Sequence, residues 1–141
     1  MSQAKVRRVN FKLIETELYC YHASREEFNK LRQDIIEIQG SSSGGCRTIG
    51  SISDPTAHKV SALNSAFMLE VESRLKAIEH VLLILGHAED PGKAELVRLR
   101  YFEKVLTDKG IQMKLNISQS TFTRWNKEVI KMIADRLGFE V

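Results

Sequence analysis

The sequence predicts an all-α protein: a long N-terminal helical hairpin or coiled coil followed by a C-terminal helix-turn-helix. Three observations carry that expectation. No stretch alternates apolar and polar residues as a strand does. Two long stretches free of glycine and proline, Val9–Gln39 and Thr56–Leu85, carry apolar residues at helical spacing. Near the C-terminus a short turn, Asn116-Ile-Ser118, separates two amphipathic segments.

On composition the chain divides into residues 1–39, a long helix; 40–53, a flexible linker; 54–86, a second long helix; and 87–141, the helix-turn-helix unit. Residues 1–8 carry Lys5, Arg7 and Arg8 and are expected to form a frayed basic tail. From Val9 onward Phe11, Ile14, Leu18, Tyr21, Phe28, Leu31, Ile35 and Ile38 mark one face of a helix about 45 Å long at 1.5 Å per residue. A helix of that length is expected to pack against another helix or another subunit. Residues 40–53 are rich in Gly and Ser and read as linker. They contain no phosphate-binding glycine pattern.

Asp54-Pro55 is a helix start, a capping carboxylate followed by proline at the first helical position. Val60, Leu63, Phe67, Val71, Leu75, Ile78, Leu82 and Leu85 follow at inward spacing, and Gly86 closes the helix. Asp90-Pro91 repeats the start signal for a third helix through Glu103, with Leu96, Leu99, Tyr101 and Phe102 packing. Thr107 then caps a short helix bearing Ile111 and Leu115. Asn116 suits a left-handed turn residue, Ile117 plugs the turn, and Ser118 caps the last helix.

In that last helix Phe122, Trp125, Val129, Ile133 and Leu137 recur at spacings of three and four and face inward. The opposite face carries Gln119, Ser120, Thr123, Arg124 and Lys127, with no carboxylate from Gln119 through Lys127. Amides, hydroxyls and cations of this kind hydrogen-bond base edges and neutralise phosphates. The same pattern also suits a merely solvated face. Charge helps to separate the two readings. Residues 98–141 hold nine Lys/Arg against five Asp/Glu, whereas residues 41–97 hold five against seven. The positive charge is therefore concentrated where a nucleic acid would lie.

Other chemistries find little support. Cys20, His22, Cys46 and His58 lack the paired spacing of a zinc site, so no metal is expected. No motif places Ser, His and Asp together for nucleophilic catalysis, and no cofactor motif is present, so an enzyme is not expected. Glu15, Glu17, Glu26 and Glu27 read as a solvated face of the first helix. Trp125, on the inward phase, is expected in the core rather than stacked on a base. The apolar run Val81–Leu85 is too short to span a bilayer. With two cysteines and no signal-peptide core, a cytoplasmic protein is expected.

The order of several segments resembles the RinA/ArpU-type phage transcriptional regulators of Gram-positive bacteria. These segments are Glu15-Thr-Glu-Leu-Tyr-Cys-Tyr-His22, Arg32-Gln-Asp-Ile-Ile36, the Gly/Ser linker, Ser53-Asp54-Pro55-Thr56, Glu95-Leu-Val-Arg-Leu-Arg-Tyr-Phe102, Leu115-Asn-Ile-Ser118 and Thr123-Arg-Trp125. The resemblance spans nearly the whole chain. It implies a helix-turn-helix similar to region 4 of RNA polymerase sigma factors and an activator of late phage genes. Gln119, Ser120, Thr123, Arg124 and Lys127 would then contact bases and phosphates of double-stranded DNA. Where such motifs carry a small alanine this chain has Gln112, which is expected either to push the two helices apart or to snorkel outward.

The expected partners are double-stranded DNA, host RNA polymerase and a second copy of the chain. Recruitment of polymerase is favoured over replacement of sigma region 4, because no counterpart of the sigma segment that reads the −10 element is visible. The first helix is expected to serve self-association and to be dispensable for bare DNA contact. An alternative reading keeps the long helices as the working part of a structural or adaptor protein that binds a phage or host protein.

Overall fold

The computed structural model describes residues 2–41 and 55–141, with side chains over 2–37 and 64–141. The protein is all-helical, and among the described residues there is no strand. Helix α1 spans Gln3–Ser41, α2 Pro55–Gly86, α3 Gly92–Val97, α4 Asp108–Leu115 and α5 Gln119–Leu137. A π-helical turn, Arg98–Glu103, continues α3 without a break. Residues 42–53 of the expected linker lie outside the described residues, as do the side chains of Ile38, Cys46, His58, Val60 and Leu63. The helix continues through Gly40 and Ser41, two residues into the stretch read as linker.

The basic N-terminal residues are not a frayed tail. Helix begins at Gln3, and Asn10 Nδ2 donates to the Glu140 carbonyl at 2.8 Å while Arg7 pairs with Glu140 at 3.7 Å. The start of α1 is thus fastened to the end of the chain. That contact is between residues 130 positions apart, which is why local composition did not reveal it.

The two long helices pack on each other over part of their length. Ile14, Leu18, Tyr21 and Phe28 of α1 and Leu75, Ala77, Ile78, Val81 and Leu85 of α2 are buried. Glu17 pairs with Arg74 at 2.8 Å and Arg25 with Glu79 at 3.2 Å, and Arg25, Phe28 and Arg32 of α1 share one concavity with Glu79, Leu75 and Glu72 of α2. The helices meet over a limited window. Outside it Leu31 and Ile35, expected inward, are 47% and 42% exposed, and Phe67 is 60% exposed. Helical spacing locates an apolar face but says nothing of how much of its length a neighbour covers.

Two apolar clusters result. The larger joins the α1–α2 contact to Val97, Tyr101, Val129, Ile130, Ile133 and Ala134. The smaller consists of Leu96, Leu99, Ile111 and Phe122, with Leu115, Ile117 and Trp125 packed against it. The α3–π segment is the wall between them. Leu96 and Leu99, three apart, serve the small cluster; Val97 and Tyr101, four apart, serve the large one. The run expected as one α-helix through Glu103 has the right extent, but its second half takes the wider π register and closes at Lys104 in the left-handed region, φ 57°. Lys104 Nζ reaches the Tyr19 carbonyl at 2.7 Å, which offsets that local strain.

Candidate nucleic-acid interface

The α4–α5 unit is built by its own caps. Thr107, in extended backbone, accepts a hydrogen bond from Gly110 N at 3.2 Å and starts α4. Asn116 turns the chain at φ 54°, ψ 47°. The Asn116 N–H then bonds the Met113 carbonyl (3.3 Å) and the Ile117 N–H the Gln112 carbonyl (3.0 Å). This is a Schellman ending, and Ile117 supplies its apolar contact by packing on the small cluster. Ser118, again extended, accepts from Thr121 N at 3.2 Å and starts α5. At the far end Gly138, φ 73°, stops α5.

The inward face of α5 buries Phe122, Asn126, Val129, Ile130, Ile133 and Ala134. Trp125 is half-buried and lies over the small cluster, in keeping with its inward phase. Its ring fills the space above Gly92 so closely that a Cβ there would lie 2.5 Å from the Trp125 ring. Asn126 is the one buried polar residue among those described. Its Oδ1 accepts from the Tyr101 hydroxyl at 2.5 Å, and its Nδ2 donates to Glu15 at 3.4 Å. Burial holds the Tyr101 hydroxyl well above its ordinary pKa, so it stays a donor.

Glu15 also lies 3.7 Å from Arg100, which stands 3.6 Å from Asp108 and stacks over the Phe122 and Tyr101 rings. Glu15 was read as part of a solvated face; it is instead the centre of a network joining α1, the π turn, α4 and α5.

The five residues picked out on the opposite face, Gln119, Ser120, Thr123, Arg124 and Lys127, are all exposed. Ser120, Thr123, Arg124 and Lys127 line one open concavity of about 520 Å³, together with Glu128 and Lys131. Gln119 does not line it. Its Oε1 accepts from Gln112 Nε2 at 2.7 Å, so Gln112 reaches outward and ties the two helices across their mouth rather than prising them apart.

Thr123 Oγ1 donates to the Gln119 carbonyl at 3.0 Å and keeps its acceptor lone pairs free. Arg124 approaches Glu128 only to 3.9 Å and is 66% exposed. Such a pair contributes little. Glu128 is held more closely by Lys93 at 2.5 Å, which draws the carboxylate toward α3. Lys131 was missed, though it lies one turn beyond Lys127 on the same phase.

The result is a capped helix presenting one guanidinium, two ammonium groups and two hydroxyls in one patch, with the Gln119 amide tied to Gln112 beside it. Among the described residues no group of three His, Cys, Asp or Glu side chains is placed to hold a metal ion, and Cys20 is exposed. No described helix is long and apolar enough to cross a membrane. No family model, curated protein or solved structure matches the chain.

Proposed function

We propose that α4 and α5 form a helix-turn-helix of the sigma region 4 type, and that the protein is a phage-encoded transcriptional activator, acting on late phage genes as the family resemblance implies. The observation that carries this reading is the division of α5 into two faces. One face is fully committed to two apolar clusters and a buried polar network. The other is exposed, carries Arg124, Lys127 and Lys131, and holds no carboxylate from Gln119 through Lys127.

In this reading α5 enters the major groove of double-stranded DNA by its N-terminal turns. Arg124 supplies the planar fork that matches a guanine edge, Gln119 and Thr123 supply amide and hydroxyl contacts, and Lys127 and Lys131 neutralise phosphates. Such a unit is expected to bind a mixed-sequence duplex with an affinity that falls steeply as salt rises. Fluorescence anisotropy over a salt series checks this. Affinity that is absent at low salt, or flat across the series, rejects the reading.

The exposed apolar residues outside the α1–α2 contact, Leu31, Ile35, Ile36, Phe67 and Leu69, support self-association of the long helices. A dimer would tether two reading helices and raise affinity for paired half-sites. The alternative reading, a helical adaptor that binds a phage or host protein, is favoured by the same residues. Light scattering is expected to give a dimer or higher oligomer at micromolar protein. A monomer throughout that range rejects self-association and leaves the apolar residues to a different protein, host RNA polymerase among the candidates.

A further inference from the structure

Two exposed surfaces of the chain mix apolar and charged side chains in the same way but with opposite sign. The first is on α4. Lys109 and Met113 stand two residues either side of buried Ile111 and so face away from the small cluster. Met113 is 75% exposed, and Val105, just before the helix, is 82% exposed. Leu106 extends this apolar surface by lying against Gly110, its Cβ 3.5 Å from where a glycine Cβ would stand. Lys109 and Lys114 are exposed and make no ion pair among the described residues. Asp108, the one carboxylate of α4, is turned to Arg100 at 3.6 Å.

The second surface is on the distal half of α1. Glu27, Leu31, Asp34 and Ile35 are related by steps of four and three, form one stripe of the helix, and are all exposed. Glu27 and Asp34 make no ion pair among the described residues. Both surfaces are therefore uncovered within one chain. Helix α1 is continuous from Gln3 to Ser41, with no Gly or Pro before Gly40. The stripe has no hinge by which to reach the α4 of its own chain.

We infer that each surface is covered by the other surface of a second copy. Leu31 and Ile35 pack on Leu106 and Met113, while Glu27 and Asp34 pair with Lys109 and Lys114. Exchange in both directions closes as a two-fold dimer. Charge selects this arrangement over α1 on α1, because two copies of the same acidic stripe would set carboxylates against carboxylates. The inference rests on the self-association reading and names the faces that meet: α1 of one copy on α4 of the other.

The test measures sedimentation of the full-length chain at micromolar concentration, without DNA. One variant is Lys109→Glu/Lys114→Glu and the other Glu27→Lys/Asp34→Lys. Each alone places like charges together in both contacts and is expected to weaken self-association by about tenfold or more. An equimolar mixture of the two restores opposite charges at both contacts. It is expected to form a dimer holding one copy of each. The four positions are exposed, so the helical circular dichroism is expected to match wild type. Should a reversal fail to fold, the neutral variants Lys109→Gln/Lys114→Gln and Glu27→Gln/Asp34→Asn are expected to weaken the dimer in the same direction, by less.

Folded variants that associate as wild type does overturn the proposal and leave self-association to other faces. A mixture of the two reversals that stays monomeric also overturns it, because the pairing of these charges would then be wrong. If wild type is itself monomeric, the self-association reading falls, and this inference with it.

Discussion

The two faces of α5 obey the same helical geometry and carry opposite obligations. The inward face has exchanged freedom for contacts. Phe122 lies in the small cluster under an Arg100 guanidinium, and both polar atoms of the Asn126 amide are engaged, by Tyr101 and Glu15. The cations of the outward face make almost no commitments. Arg124 has only a distant carboxylate, and Lys127 and Lys131 have no ion-pair partner among the described residues. The difference teaches which substitutions should damage the fold and which should damage only binding. Residues one position apart, such as Arg124 and Trp125, fall on different sides of that division.

The comparison is broken most severely at Phe122. Removing a buried aromatic ring from a cluster of four buried residues costs about 3–5 kcal/mol, comparable to much of a small domain's stability. Phe122→Ala is expected to lower the melting temperature by many degrees and to abolish DNA binding with it. A variant that melts like wild type contradicts the packing described for the small cluster.

Gly92→Ala probes the same face from the α3 side. The added methyl would meet the Trp125 ring at a distance no real Cβ tolerates, so the ring must move. Overpacking of this kind costs about 1–3 kcal/mol. Thermal melts are expected to show this loss, with a change in tryptophan fluorescence, since Trp125 is the only tryptophan in the chain. Unchanged emission and stability show that Trp125 is not seated on Gly92.

The outward face sharpens the comparison through a null effect on stability. Arg124→Ala is expected to stay within about 0.5 kcal/mol of wild-type stability, as for surface positions generally. Its cost should appear in specific DNA binding, about 1–3 kcal/mol with relaxed preference at one base pair. Loss of fold in this variant would mean that Arg124 carries structure and that the two faces are not separable.

Legibility in the sequence followed the range of the interactions. The caps at Thr107 and Ser118, the left-handed Asn116 and the apolar stripe of α5 are set by neighbours within a few residues. They are found where spacing placed them. The five exposed residues of α5 were legible for the same reason, since a stripe defines its complement.

What stayed hidden depends on distant partners. The partial contact of α1 and α2 leaves Leu31, Ile35 and Phe67 in solvent, which periodicity alone cannot foresee. The contact of Asn126 with Glu15 spans 111 positions, so a carboxylate in a run of exposed glutamates gave no sign of its role. The π turn and the close seat of Trp125 on Gly92 likewise arise from packing between segments.

The central claim is that the exposed face of α5 reads duplex DNA. Footprinting on the genome that encodes the protein tests it most directly, with wild type and Arg124→Ala compared at equal concentration of folded protein. The account predicts a discrete protected tract with wild type, and its loss or blurring with Arg124→Ala. No protected tract at low salt, or an identical tract from both proteins, would contradict it.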